Sequence, residues 1–115
     1  MFTSNYCLDP NPANNLVVSS VTADGVEIEW MAPTTGTYTK CKVTIKDGSS
    51  VVKTDTPAKG TTTSVFTGLE AGKEYTATVV TVNGDGEDAR TSTPVMETFA
   101  TSLYIFIVYM VYINV

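Results

Sequence analysis

Gly68-Leu69-Glu70-Ala71-Gly72-Lys73-Glu74-Tyr75 runs directly into Thr76-Ala77-Thr78-Val79-Val80-Thr81-Val82-Asn83. Glycines at 68 and 72 bracket a turn, a leucine stands inside it, and a tyrosine follows that leucine six positions later. A chain passing from one β-sheet to another needs this arrangement: the ring fills the corner, and its hydroxyl serves as a buried donor to backbone groups that the turn leaves unpaired. The residues after it alternate as a strand, with Tyr75, Ala77, Val79 and Thr81 expected inward and Thr76, Thr78, Val80 and Val82 outward.

Working outward from this corner, the same alternation recurs. Val26-Glu27-Ile28-Glu29-Trp30 sets Val26, Ile28 and Trp30 on one face and two glutamates on the other, so one face is buried and one is wet. A shorter strand, Asn15 to Val21, precedes it, and Asp24-Gly25 reads as the hairpin turn between them. After the break at Ala32 to Gly36, Cys41, Val43 and Ile45 point inward against Lys40, Lys42, Thr44 and Lys46, and Asp47-Gly48 supplies the next tight turn. Ser50 to Thr54 reads as a polar edge strand, Thr56 to Gly60 as a loop, and Thr62 to Thr67 as a strand with Phe66 in the core. Asn83-Gly84-Asp85-Gly86 leads to a final strand over Thr91 to Phe99. Seven strands punctuated every 8–12 residues or so predict an all-β sandwich. Its expected core is Trp30, Val43, Phe66, Leu69, Tyr75 and Val79.

These residues carry a family resemblance. Leu16-Val17-Val18, Val26 through Pro33, Cys41 through Ile45, Gly68-Leu69 with Tyr75, and Val82 through Gly86 together resemble a fibronectin type III domain over residues 12–100. The resemblance implies an immunoglobulin-like seven-stranded sandwich with no cofactor, acting through protein partners. Two positions depart from the family pattern: Cys41 stands where an aromatic residue is usual, and Glu97 shares a face with Val95 and Phe99 where a valine is expected. The loop between the last two strands is where some members carry an integrin-binding Arg-Gly-Asp. Here it reads Asn83-Gly84-Asp85, so that route to integrins has no support.

Composition narrows the function classes. A net charge of −5, with seven Lys and Arg in 115 residues, argues against nucleic acid, which demands clustered cations. The chain has no histidine, no Gly-x-Ser-x-Gly elbow and no paired carboxylates in a pocket-forming context, so catalysis is not expected. The two cysteines, Cys7 and Cys41, build neither a disulfide framework nor a zinc ligand set; a bond between them is disfavoured because Cys41 points inward and Cys7 lies in the lead-in. Asn83-Gly84-Asp85-Gly86-Glu87-Asp88 has oxygen ligands at alternate positions, but an EF-hand loop needs a glutamate where Pro94 stands, so a solvated turn is the better reading. The same six residues are the candidate partner-binding loop, because end loops on a rigid sandwich are where such domains make contacts. The outward face carrying Thr76, Thr78, Val80 and Val82 with Lys40, Lys42, Thr44 and Lys46 is read as plain solvent-exposed sheet, with partner binding as its alternative.

The expected organisation is a lead-in over 1–13, a domain over 14–101 and an apolar tail over 102–115. Met1 to Pro12 has neither a basic nor an apolar region of the kind a secretory signal needs. Leu103 to Ile113 carries no charge, and as a helix it would reach about 16 Å against a bilayer core of about 30 Å. Three readings of the tail stay open: the first part of a membrane helix in a truncated receptor, a translated artefact, or an extra element packed on the domain. Uncharged and β-prone, the segment is an aggregation hazard in isolation. The expected function is a non-enzymatic interaction or spacer module, extracellular or at the cell surface. The alternatives are the ectodomain fragment of a single-pass receptor whose phosphatase or kinase part lies elsewhere, and an accessory module of a secreted hydrolase.

Overall fold

A computed structural model describes residues 9–102. Among the described residues eight strands occur in the order β1 (Asn14–Val21), β2 (Gly25–Met31), β3 (Lys40–Asp47), β4 (Ser50–Asp55), β5 (Thr63–Thr67), β6 (Glu74–Asn83), β7 (Arg90–Thr91) and β8 (Val95–Ala100). They form two antiparallel sheets: β1-β2-β5, and β4-β3-β6 with both β7 and β8 on the far side of β6. β7 and β8 are thus two pieces of one final strand, interrupted at Ser92-Thr93-Pro94, so the expected run from Thr91 to Phe99 is broken. Pro94 lacks a ladder donor, and the Ser92 hydroxyl takes over locally, receiving the Thr81 N–H at 3.0 Å and donating to the Thr93 carbonyl at 2.9 Å.

The inner faces of the two sheets supply the core. Trp30, Val43, Phe66, Leu69, Tyr75 and Val79 all lie in a single buried cluster, joined by Ile28, Ile45, Cys41 and Phe99. β6 is the longest strand and has neighbours on both sides, which changes what its outer face looks like. Thr78 and Val82, expected outward and wet, are 8% and 6% exposed. β3 flanks both on one side, with Thr44 opposite Thr78 and Lys40 opposite Val82; on the other side Met96 of β8 lies opposite Thr78 and Thr91 of β7 opposite Val82, so a central strand is enclosed by neighbours that alternation alone does not count.

Glu97 faces Ala77 across the ladder but is exposed, whereas Phe99, two residues on, is buried. β8 is an edge strand, and a carboxylate on the inward side of an edge reaches water while discouraging further strand addition.

Two turns differ in kind. Asp47-Gly48-Ser49-Ser50 is a two-residue hairpin with Gly48 at φ 63, the first central position of a type II′ turn. Asp24-Gly25 is not the centre of its turn: Thr22 N–H bonds the Gly25 carbonyl at 3.0 Å, leaving Ala23 and Asp24 in the middle and Gly25 as the first residue of β2. Glycine is needed there for space, since a Cβ would lie 2.7 Å from the Phe66 carbonyl oxygen.

The sandwich draws in residues beyond both expected edges. Ala13 is 3% exposed, and Thr81 Oγ1, itself fully buried, donates to the Asn11 carbonyl at 2.7 Å. Asn11 Nδ2 also reaches Thr35, so the stretch from Asp9 to Ala13 is packed rather than a free lead-in. At the other end, Ser102 N–H bonds the Thr22 carbonyl at 3.0 Å, and the Ser102 carbonyl accepts from Gly72 N–H. Cys7 and the apolar run from residue 103 onward lie outside the described residues. Cys41 is a buried free thiol.

Candidate functional site

The corner that organises the chain proves to be a hydrogen-bonded knot. Gly68 takes φ 81 and Gly72 φ 66, conformations open to glycine with little strain. Tyr75 folds back so that its hydroxyl accepts the Glu70 N–H at 3.0 Å; it was expected as a donor, and the role is reversed because the turn exposes an N–H rather than a carbonyl at that point. The Tyr75 ring stacks on Phe99 at 5.8 Å between centroids.

Thr101, 4% exposed, closes the other side of the knot: its hydroxyl accepts from Lys73 N–H at 2.9 Å and donates to the Glu70 carbonyl. Lys73 lies 2.7 Å from Asp47 and 3.2 Å from Glu70, and these carboxylates, Asp47 first, push its ammonium above the usual lysine range. The polar groups of this knot are turned toward one another. Thr101 was not anticipated, since it lies 28 residues from the turn it completes and no local pattern marks it.

At the opposite end of β6 sits the candidate loop. Asn83 is the last residue of β6 and pairs across the ladder with Arg90. Gly84 turns out at φ 94, and Gly86, at φ 67, opens a short 3-10 turn over Gly86–Asp88. Asp85, Glu87 and Asp88 are all exposed, which places three carboxylates within four residues on one protruding turn.

The loop's base is braced by Thr39, which no pattern in the sequence marks, and by Lys40, expected only as part of the outward sheet face. Thr39 Oγ1 donates to the Val82 carbonyl at 3.1 Å and accepts from Gly84 N–H at 3.3 Å, and Lys40 Nζ lies 3.1 Å from Asp85. Arg90 Nε donates to Asp9 at 2.7 Å on the far side. The Lys40–Asp85 pair is solvent-exposed and worth at most about 1 kcal/mol, so it orients the loop more than it stabilises the fold. Among the described residues no group of three or more potential ligands is placed to hold a metal ion.

In the core, Cys41 occupies the position where the family pattern expects an aromatic ring, and Trp30 is its neighbour. Burial pushes the Cys41 thiol up, and the adjacent Trp30 indole pulls it back by less. The buried indole N–H has no hydrogen-bond partner of ordinary geometry, and the Cys41 sulfur beside it is at most a weak, soft acceptor. Trp30 at 4% exposure offers no stacking platform to a ligand.

Comparison with known proteins agrees with this layout. The fibronectin type III domain profile matches residues 10–98. Among solved structures, a computationally redesigned β-sandwich protein aligns at TM-score 0.66 and 26% identity, covering 80% of this chain and 90% of its own. Domains d3-d4 of the rat CD45 extracellular region align at TM-score 0.70 and 21% identity, covering 83% of this chain and 51% of theirs. The fn3 domain of the human collagen alpha-1(XX) chain aligns at TM-score 0.66 and 22% identity, covering 86% of this chain and 91% of its own.

Proposed function

The chain belongs to the fibronectin type III family, and from that premise we propose that it is a non-enzymatic protein-recognition and spacing module of an extracellular or cell-surface protein. Domains of this family are generally non-catalytic and mediate protein–protein contacts. The observation that carries the reading is the division of labour along β6: the Tyr75 end is consumed by internal hydrogen bonds, while the Asn83 end presents Asp85, Glu87 and Asp88 to solvent on a braced base. A rigid sandwich holding an acidic turn in a fixed place suits a partner with a basic patch, since charge complementarity sets encounter rate and register. Similarity to a CD45 extracellular region and a collagen domain supports the extracellular setting.

A second reading, the ectodomain fragment of a single-pass receptor, is favoured by the uncharged run Leu103 to Ile113. Among the described residues no helix is long and apolar enough to cross a membrane.

The test is saturable binding of the labelled chain to intact cells, compared with the D85N/E87Q/D88N variant. The expected result is a loss of about tenfold or more in affinity for the variant, with unchanged melting. Equal binding by both proteins removes the loop from the function.

A further inference from the structure

The two outer sheet faces carry opposite charge. On the larger sheet, Lys42 and Lys46 stand two residues either side of Thr44, about 7 Å along the strand in each direction. Thr44 faces Thr78 on β6, and Thr78 faces Met96 on β8. Between them runs a groove of about 300 Å³, with Val51, Val80, Pro94 and Met96 as its apolar walls. Among the described residues neither Lys42 nor Lys46 has an ion pair. The Thr78 hydroxyl is buried and has no hydrogen-bond partner. That hydroxyl lies beneath the groove floor and is not itself reached from outside; what the groove offers a carboxylate is its rim, the ammonium groups of Lys42 and Lys46 standing beside apolar walls.

The smaller sheet supplies such carboxylates. Glu27 and Glu29, about 7 Å apart on the outer face of β2, have no ion pair among the described residues. Each faces a valine across the ladder: Glu27 faces Val65 and Glu29 faces Val17, which are 64% and 48% exposed. Met31, at 53%, continues the same face. Carboxylates set among exposed valines on one face thus complement ammonium groups set among Val51, Val80 and Met96 on the other.

We propose that the groove over Thr78 receives the Glu27/Glu29 face of a second copy of this chain, so that sandwiches stack sheet on sheet in a head-to-tail manner. Aligned packing of two twisted sheets allows such a contact. The interface is heterologous and therefore propagates instead of closing. The smaller sheet is three strands wide, so the buried area falls in the weak class below about 1,200 Å², and association is expected at about 0.1–1 mM chain. The proposal is independent of the Asn83–Asp88 reading, because neither face includes that loop.

Sedimentation velocity of the full chain over that concentration range tests it, at about 50 mM and 500 mM salt. Wild type is expected to associate at low salt and to dissociate at high salt. K42E/K46E and E27K/E29K are each expected to be monomeric alone and to associate when mixed in equal amounts, a recovery that no unfolding artefact produces. The milder K42Q/K46Q should weaken association about tenfold, and D85N/E87Q/D88N should leave it unchanged. A monomeric wild type at low salt, association that strengthens with salt, or a mixture that stays monomeric overturns the proposal.

Discussion

The two ends of β6 differ in where their polar groups go. At Tyr75 the turn's N–H groups at Glu70, Gly72 and Lys73 are all taken, by the Tyr75 hydroxyl, the Ser102 carbonyl and the Thr101 hydroxyl. At Asn83 the chain is held at its base, by Thr39, by the Lys40–Asp85 pair and by the pairing with Arg90, and the carboxylates of Asp85, Glu87 and Asp88 stay exposed. One strand thus carries a knot at one end and a presenting surface at the other. The lesson is that the most recognisable segment of the chain is its least available for binding: its distinctive residues are spent on each other.

Substitutions at the knot should be expensive and those at the loop cheap. Thr101→Val, which keeps the shape, strands the Lys73 N–H and the Glu70 carbonyl and is expected to cost about 2–4 kcal/mol in a denaturant melt. A loss under about 0.5 kcal/mol would place the closure of the corner elsewhere. Tyr75→Phe removes one acceptor from Glu70 N–H while keeping the Phe99 stack, so about 1 kcal/mol is expected.

The core between the two ends has its own signature in pH. Burial raises the folded thiol of Cys41 above its unfolded value, so above about pH 8.5 the unfolded state loses its proton first and stability falls with rising pH. Urea melts from pH 7 to 10 should show this slope in wild type and a smaller one in Cys41→Val; an identical slope in both removes Cys41 as its source. Smallest of all, D85N/E87Q/D88N should shift stability by about 0.5 kcal/mol or less, and a loss above about 1 kcal/mol, more than the exposed Lys40–Asp85 pair can account for, would mean that the loop belongs to the fold.

Much of the architecture is readable in the sequence because strand alternation reports burial directly when a strand has one wet face. Val26-Glu27-Ile28-Glu29-Trp30 is buried at Val26, Ile28 and Trp30, with the glutamates outside. The reading weakens where a third body intervenes. Thr78 and Val82 look polar-side by period, yet flanking strands cover them. Thr81 and Thr101 look like ordinary strand and terminus threonines, yet each ties together parts of the chain far apart in sequence. Gly25 looks like a turn glycine and is instead a close-approach glycine.

For the candidate loop, the acidic character of Asp85, Glu87 and Asp88 is visible in the residues themselves. Its bracing by Thr39 and Lys40 is not, because those contacts span 45 residues. The groove over Thr78 was visible only as a mixed polar sheet face, since the orphaned hydroxyl depends on what the neighbouring strands fail to offer it.

Native-state hydrogen exchange measured residue by residue tests the central contrast most directly. The amides of Glu70, Gly72 and Lys73 are expected to exchange only through global unfolding, tracking the denaturant dependence of the core strands, while those of Glu87 and Asp88 exchange at nearly the rate of an unstructured chain. Protection at Glu87 and Asp88 equal to that of the core, or fast local exchange at Glu70 and Lys73, would contradict the assignment of structure to one end of β6 and recognition to the other.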